Sequence, residues 1–426
     1  MKKLKFLTLA AIAAATAMVS SCSDNGDLST PTKEAEGKAL VVNPTVDGSR
    51  VTPLAKSAFT GFKLYGVQNP TNGESVGSFI KTEENSGVNY SGTFGESAAE
   101  VAFAPANAVK WPTTNPDNSA NFYGISVQGG SDLTGSGITV TEDGITEGTF
   151  SYAAPMSGGY VDLGKQKDIM IASSLEAKQS TDNGVVTLPF KHAFAKLTLQ
   201  LRWNFEEWID NGVTSPASAV ENHSIYAIDY IKIHNIKCQG TYSFTADDGN
   251  GGKGKWTVDG DNSTIMFKYD TPKRFMAEEN PTASADHPFR SQDLIVGDDA
   301  IMILPQTLGL WTMGNNFSTE TSGAFIEIYG VAYKVSDAWD DPDYGESYVT
   351  NTEYWEDVDG EGWFQPIIAD PANADRYMQS VYFPIRINSS TPFVFEANKS
   401  YNFRINAVTC RQDNGTNRIK GVVVDN

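Results

Sequence analysis

Short segments of alternating apolar and polar residues recur along most of the chain, and Gly, Asn, Asp and Pro separate them. Alternation with a period of two is typical of strands with one buried face, and no long stretch keeps the 3.6-residue period of an amphipathic helix. The pattern therefore predicts an all-β chain made of β-sandwiches. The predicted strands are 59–67, 121–127, 168–172, 185–203, 228–233, 240–244, 300–306, 324–331, 400–406 and 421–424.

The longest alternating segment, 185–203, changes its buried face part of the way along. Leu188 and Phe190 have the opposite parity to Leu197, so one flat strand would not bury them on the same face. A bulge or a crossing between two sheets near Phe194-Ala195 would reconcile the two sets. His192 precedes that point, and we expect it to be a core histidine with a backbone hydrogen-bond partner.

A stretch at 204–222 divides the strands into an earlier and a later series. We interpret it as a linker or short helix between two domains. The chain has 426 residues, which suits two or three domains on a prior of about 150 residues each. The predicted domains are 38–204 and 205–426.

The N-terminal segment has the features of a secretion signal. Three lysines in the first five residues precede an apolar stretch, 6–19, which is shorter than the roughly 20 residues of a bilayer-spanning helix. This arrangement predicts a signal peptide over 1–21. Its end, Val19-Ser20-Ser21-Cys22, resembles a bacterial lipobox, so we expect lipid attachment to the thiol of Cys22. The alternative is an ordinary signal peptide with a chance cysteine.

The next segment, 22–37, reads as a polar tether. Ser23-Asp24-Asn25-Gly26-Asp27 resembles the acidic tag that directs lipoproteins to the outside of the outer membrane, although it holds only two acids. An anchor with more than one acyl chain makes membrane attachment lasting. The sequence therefore predicts a surface-exposed lipoprotein of the cell outer membrane.

Charge and cysteine content narrow the classes of partner. The net charge of −20 disfavours nucleic acid, because phosphate binding needs clustered Lys and Arg. The chain has four histidines but no His-x-x-x-His or Cys-x-x-Cys pair, which argues against zinc, and we predict no cofactor.

Besides Cys22, the chain contains Cys238 and Cys410. In an exported protein these two could form a disulfide, and two buried free thiols explain the count equally well.

A long insertion in the later strand series, 334–376, combines acidic and aromatic residues. Trp339, Trp355 and Trp363 are candidates for stacking on sugar rings, and the carboxylates could hold calcium through oxygen ligands. Asp357-Val358-Asp359-Gly360 imitates part of a calcium loop, but Trp355 occupies the position of the first acid. The alternative is a structured loop whose acids face water.

Two motifs match known sequence patterns but lack the helix that should follow each pattern. Gly73-Glu74-Ser75-Val76-Gly77 reads Gly-x-Ser-x-Gly, but an extended segment follows it, whereas a nucleophile elbow leads into a helix. The stretch 249–254 reads Gly-x-Gly-x-x-Gly, and a strand-like segment again replaces the expected helix. We therefore predict a hairpin loop at 249–254 and no catalytic residues.

Several pieces of the chain together resemble the fimbrillin family, the type V pilin-like surface lipoproteins of Bacteroidetes. The most specific piece is 186–197, which reads Val-Thr-Leu-Pro-Phe-Lys-His-Ala-Phe-Ala-Lys-Leu. The other pieces are the lipobox, Arg50-Val51-Thr52-Pro53, Phe59-Thr60-Gly61-Phe62, the block from Trp111-Pro112 to Phe122-Tyr123, Asp168-Ile169-Met170-Ile171-Ala172, Leu304-Pro305-Gln306 and Asn398-Lys399-Ser400-Tyr401. The resemblance spans nearly the whole mature chain.

The resemblance implies two transthyretin-like Greek-key β-sandwich domains in tandem. It also implies that a lipoprotein precursor is cut after an arginine, which removes the first strand and leaves a groove that a strand from another subunit fills. On this chain the cut would fall between Arg50 and Val51, and the exchanged strand would be the one that begins with Leu40, Val41 and Val42. The alternative is that Arg50 is an uncut residue of a surface turn.

These expectations describe a non-enzymatic stalk, tip or anchor subunit of a surface fimbria, which loses 38–50 on processing and contributes to adhesion. Its expected partners are other fimbrial subunits in a homo- or hetero-polymer, the outer membrane through the precursor's lipid anchor, and a ligand on a host or bacterial surface. The alternative is a monomeric outer-membrane lipoprotein that binds glycan through the aromatic insertion. A secreted hydrolase is the least favoured class.

Overall fold

The fold was analysed in a computed structural model. It describes residues 38–46, 58–69, 77–80, 87–93, 102–111, 117–181, 184–204, 224–249, 251–275, 289–295, 300–312, 320–335, 346–347, 363–364, 368–370, 373–388, 390–411 and 417–424. Nearly all of the regular structure in these ranges is β-strand, so the prediction of an all-β fold is confirmed.

The first thirteen strands precede residue 205. They are β1 Val41–Val46, β2 Gly61–Gln68, β3 Gly77–Ile80, β4 Val88–Thr93, β5 Ala102–Pro105, β6 Ser119–Val127, β7 Ile138–Thr139, β8 Thr149–Ala153, β9 Met156–Ser157, β10 Tyr160–Val161, β11 Ile169–Lys178, β12 Val185–His192 and β13 Ala195–Asn204.

The remaining strands follow residue 223. They are β14 Ser224–Asp247, β15 Lys253–Phe275, β16 Phe289–Ile295, β17 Ile301–Ile303, β18 Gln306–Thr307, β19 Phe325–Val335, β20 Glu346–Ser347, β21 Trp363–Phe364, β22 Ile368–Asp370, β23 Asn373–Pro384, β24 Arg386–Asn388, β25 Thr391–Pro392, β26 Val394–Phe395, β27 Ser400–Arg411 and β28 Asn417–Val424.

A short helix, α1 (Glu142–Glu147), lies between β7 and β8. Its N-cap is Thr141, whose side chain accepts a hydrogen bond from the N–H of Gly144. Its C-cap is Gly148, with φ of 70° in the left-handed region that favours glycine. Both caps are readable in the sequence, but six residues are too few to produce a recognisable helical period.

Three larger sheets organise the described strands. The first has the order β1-β12-β11-β6-β2-β4-β5, with β3 paired to β2. The second has the order β21-β23-β19-β14-β15-β10-β9, with β8 also on β14, β7 on β8, β20 on β19 and β22 on β23. The third has the order β16-β13-β27-β28, with β17 also on β13. Two small ladders, β18-β26 and β24-β25, complete the arrangement.

The segment 185–203 crosses between two of these sheets, as its change of parity predicts. β12 ends at His192 in the first sheet, and β13 begins at Ala195 in the third. The two residues between the strands allow Phe190 and Leu197 to be fully buried despite their opposite parity. A crossing therefore replaces the single flat strand that the apolar residues alone would not allow.

His192 has a different partner from the one predicted. Its ring is buried, and its Nδ1 lies 2.8 Å from a carboxylate oxygen of Asp168, which is also buried. The prediction of a backbone partner for the ring is thus wrong. Asp168 immediately precedes β11, and because β11 pairs with β12, the carboxylate lies beside the His192 ring. The expected core position of His192 is confirmed.

The segments 228–233 and 240–244 were predicted as separate strands, but both belong to β14, which has 24 residues. Register shifts along its pairing with β15 bend this long ladder. β14 and β15 are antiparallel and joined by residues 248–252, so the predicted hairpin is confirmed, although residues 253 and 254 belong to β15 rather than to the loop. The predicted linker at 204–222 lies outside the described residues except at Asn204.

Two apolar clusters fill the fold. The first lies on one face of the first sheet and includes Leu40, Val42, Phe62, Phe122, Leu188 and Phe190. The second includes side chains from the opposite face of that sheet and from the second and third sheets, among them Ile171, Leu197, Ile233, Phe244, Ile326 and Phe403. Pairing also crosses the predicted boundary at residue 204, since β8 joins β14 and β13 joins β27. The division into two domains stays a prediction.

Candidate functional site: the groove of the first strand

The candidate site is the groove in the first sheet that holds β1 and the three residues before it. Leu40 and Val42 are 6% and 5% exposed, whereas Val41 between them is 52% exposed. Pro44 is also buried, and Val46 packs against the first apolar cluster. The segment therefore presents alternate side chains to the core, as the period of a strand requires.

One wall of the groove is β12, which pairs with β1 in parallel along its whole length. The register runs from Val41 opposite Val185 to Val46 opposite Phe190. The N–H of Val41 donates to the carbonyl oxygen of Gly184 at 3.1 Å. Because β1 is the last strand on this path through the sheet, removing it would leave the edge of β12 exposed.

A second wall covers only the beginning of the segment. Ala39 forms an antiparallel bridge with Lys110. The N–H of Leu40 donates to the carbonyl oxygen of Val109 at 2.8 Å, and the N–H of Trp111 donates to that of Lys38 at 3.0 Å. Residues 38–40 thus pair with residues 109–111, and pairing with β12 begins at Val41.

The side chain of Trp111 lines this end of the groove. It is 3% exposed and meets the ring of Phe122 edge-on, with 5.3 Å between the ring centroids. Its indole N–H donates to the carbonyl oxygen of Gly184 at 3.4 Å. Gly184 has φ of 79° and also accepts the N–H of Val41, so one carbonyl joins the indole, β1 and the start of β12.

A pocket of about 600 Å³ lies beside the other end of β1, on the face of the sheet opposite to Leu188 and Phe190. Thr45 and Val46 of β1 form part of its wall, together with Pro189 and Lys191 of β12. Tyr242 is also in the wall, and burial raises the pKa of its phenol above the ordinary value. The pocket is therefore separate from the apolar side of the groove that holds Leu40 and Val42.

Burial of two side chains contributes a substantial free energy to the attachment of the first strand. Complete burial of an aliphatic side chain contributes about 1.5 to 3 kcal/mol, so Leu40 and Val42 together contribute roughly 3 to 6 kcal/mol. The ladder to β12 adds backbone hydrogen bonds. Cutting the chain after β1 would leave these contacts intact, and a replacement strand would have to supply comparable ones.

Some of the predicted site residues are described by the structure and the others are not. Leu40, Val41 and Val42 lie together in the groove, as the sequence predicts for one strand. Trp363 is in β21, where it pairs with Tyr382 of β23. The other predicted positions lie outside the described residues; they are Cys22, Arg50, Val51, Trp339 and Trp355. Lipidation, cleavage and glycan binding at these residues stay predictions.

Several groove residues were missed as functional by sequence reasoning. Trp111 belongs to a piece that resembles the fimbrillin family, but its contact with the first strand depends on the fold. Val109 and Gly184 act through backbone atoms, which leave no signature in side-chain chemistry. Pro44 does leave a signal, since proline in a strand indicates an edge position without a partner at its nitrogen.

Cys238 is a free thiol. Its Sγ lies 3.5 Å from the carbonyl oxygen of Ile236, and burial raises the pKa of the thiol to about 12. The structure therefore favours the free-thiol alternative over a disulfide with Cys410.

Two observations bear on membranes and metals. None of the helices in the described ranges is long and apolar enough to cross a membrane. No group of three or more His, Cys, Asp or Glu side chains in the same ranges is placed to hold a metal ion.

Solved structures similar to this chain include fimbrial proteins. A fimbrial protein from Bacteroides vulgatus has 12% identity and a TM-score of 0.45, covering 91% of this chain and 98% of its own. The tip fimbrial protein Mfa3 from Porphyromonas gingivalis, truncated at its C-terminus, has 10% identity and a TM-score of 0.31, with coverages of 87% and 96%. The fimbrial anchor protein Mfa2 from the same organism has 10% identity and a TM-score of 0.33, with coverages of 91% and 99%.

Comparison of the sequence with known proteins and families assigns the chain to a family. Among curated proteins none matches the chain. The family model described as fimbrillin-like matches residues 50–334, which is more than half of the chain. The chain therefore belongs to the fimbrillin-like family.

Proposed function

We propose that the protein is a non-enzymatic subunit of a cell-surface fimbria that assembles by strand exchange and contributes to adhesion. Membership of the fimbrillin-like family supports a fimbrial subunit at the cell surface. The finer steps of the proposal are export as a lipoprotein through Cys22, cleavage after Arg50, loss of β1 and occupation of its groove by a strand from another subunit.

The observation that carries this proposal is the position of β1. It is a buried strand at the edge of its sheet, and Arg50 follows its last residue, Val46, after three intervening residues. A cut there would break the covalent link between β1 and the rest of the chain without interrupting any other described strand. The family match begins at residue 50, so β1 lies outside the part shared with the family model.

Strand addition suits the chemistry of this groove. Main-chain hydrogen bonds to β12 would hold any extended segment, and alternate pockets would select apolar side chains at the positions of Leu40 and Val42. Since the rest of the fold would otherwise expose those pockets to water, the cut form gains stability from a new strand. An uncut chain has its groove filled and remains monomeric.

The decisive experiment combines processing and assembly. We expect fimbriae extracted from the cell surface to contain chains that begin at Val51, and an Arg50→Ala variant to remain a monomeric lipoprotein. Lys56→Ala is the matched control, because it removes a nearby basic residue and should leave polymer ladders on mild gels unchanged. Polymers made of chains that retain 38–46 would contradict the proposal.

A further inference from the structure

Hydrogen bonds divide the residues of the first strand into two sets. Successive N–H groups of a strand point to opposite sides in the plane of the sheet. The N–H of Val41 points to β12, and the N–H of Leu40 points to the opposite side, where Val109 accepts it. Residues 43 and 45 therefore direct their N–H groups to β12, and residues 42, 44 and 46 direct theirs away from it.

On the side away from β12, backbone pairing covers only the first three residues. The bonds from Leu40 to Val109 and from Trp111 to Lys38 flank the single bridge at Ala39. Within the described residues, β1 pairs with no strand other than β12. The nitrogens of Val42 and of the later even-numbered residues therefore have no backbone partner in the part of the chain that the structure describes, and β5 also approaches β1 without forming a ladder with it.

Pro44 fits this division of the strand. Proline has no N–H and is tolerated in a sheet only where no ladder bond is required. Its nitrogen lies on the unpaired side, so its register opposite Leu188 loses no hydrogen bond to β12. The same residue at position 40 would lose the bond to Val109.

We propose that the backbone of Val109 and Trp111 is a register clamp for whichever strand occupies the groove. A strand from another subunit would be held by the backbone of Val109 and Trp111 at the positions of residues 38–40, and by β12 from the position of Val41 onward. It must carry an N–H at the position of Leu40 and apolar side chains at those of Leu40 and Val42. It tolerates an N-alkylated residue at the positions of residues 42, 44 and 46, whose nitrogens point away from β12. This inference rests on the proposed strand exchange and adds what fixes the register.

Peptide exchange tests the clamp. The full chain receives a site-specific protease sequence in place of 47–50, so that the cut does not depend on processing at Arg50. After cutting, labelled peptides with the sequence of 38–46 compete for the groove. We expect N-methylation at Leu40 to weaken binding about tenfold, because one backbone hydrogen bond and its fit are lost. N-methylation at Val42 is the matched control and should leave binding within about twofold of the unmodified peptide. Equal binding of the two methylated peptides would overturn the clamp while leaving strand exchange intact.

Amide hydrogen exchange on the uncut chain tests the same geometry without any strand exchange. The amides of Leu40 and Trp111 should exchange at least about tenfold more slowly than that of Val42, because only the first two are hydrogen-bonded. Comparable rates for Leu40 and Val42 would refute the clamp. If no peptide enters the cut chain, the proposed strand exchange fails, and the exchange rates alone decide whether the clamp exists.

Discussion

At the scale of single residues, polar side chains complete backbone ladders where strands end. Gln306 is buried, and its amide accepts the N–H of Lys237 at 3.0 Å and donates to the carbonyl oxygen of the same residue at 2.9 Å. It therefore replaces a neighbouring strand for one residue of β14. This gives a physical reason for glutamine in Leu304-Pro305-Gln306, one of the pieces through which the sequence resembles the fimbrillin family.

Cys238 supports a prediction at the same scale. Its thiol pKa is raised from 9.0 to about 12, so the thiolate needed for alkylation is almost absent at pH 8. In a chain with Cys22→Ser and Cys410→Ser, we expect negligible labelling by iodoacetamide at pH 8 until urea unfolds the protein. Rapid labelling of the folded chain would contradict this prediction.

The raised pKa of Cys238 also makes the folding stability depend on pH. The folded chain holds the thiol proton more tightly than the unfolded chain, so the stabilising contribution is complete below pH 9 and declines as pH rises toward 12. A Cys238→Ala variant should lose less stability than the parent chain over that interval, as measured by urea unfolding at each pH. An identical decline in both chains would show that other groups determine it.

At the scale of elements, β1 differs from the other strands of its sheet. It is the sheet's parallel edge strand, and its contacts with the core come from residues that are contiguous in the sequence. Its neighbour β12 leads through two residues to β13, which belongs to the third sheet, so the segment that contains β12 takes part in two sheets. The strand proposed to be exchanged is thus an edge strand that pairs with a single neighbouring strand among the described residues.

Adjacent valines test how β1 is seated. Val42→Asp places a carboxylate among Leu188 and Phe190, and we expect it to cost more than about 3 kcal/mol of unfolding free energy or to expel the strand. Val41→Asp makes the same chemical change at an exposed position and should cost within about 0.5 kcal/mol. Urea unfolding of the uncut chain measures both, and equal costs would show that β1 is not seated in this register.

At the scale of the whole described structure, the second apolar cluster joins strands from all three sheets. Trp256 of β15 is central to this connection, because its indole N–H donates to the carbonyl oxygen of Ala193 at 2.8 Å. Ala193 lies at the crossing from β12 to β13. The indole also packs against Phe194, with 5.9 Å between the ring centroids. One side chain thus links the second sheet to the point where the chain leaves the first for the third.

Replacing this tryptophan should weaken the whole fold. Trp256→Phe keeps an aromatic ring but leaves the buried carbonyl of Ala193 without its donor, which costs about 1 to 3 kcal/mol. Lys255→Ala, at the exposed neighbouring position, is the control and should change stability by less than about 0.5 kcal/mol. Chemical unfolding followed by far-ultraviolet circular dichroism measures both. A Trp256→Phe chain as stable as the parent would exclude the proposed link.

Period-two patterns predicted the strands well, because a strand with one buried face reveals itself in local sequence. The crossing near Phe194 was also predictable, since a change of parity requires a change of sheet or a bulge. The separation of β14 into two strands was wrong, because a bent ladder with register shifts interrupts the pattern while the strand continues. The ring partner of His192 was missed, because it comes from a residue 24 positions earlier in the chain.

The sequence by itself determined the class of the fold, the apolar start of the first strand and the arginine that follows it, since each of these is written in consecutive residues. Only the tertiary structure decided that this strand runs parallel to β12, that Val109 and Trp111 pair with the residues just before it, and that no described strand pairs with its other edge at Pro44. These features depend on backbone atoms of residues about 70 to 145 positions away from the strand. Main-chain N–H and C=O groups are the same in nearly every residue, so their pairing is set by the fold rather than by side-chain identity.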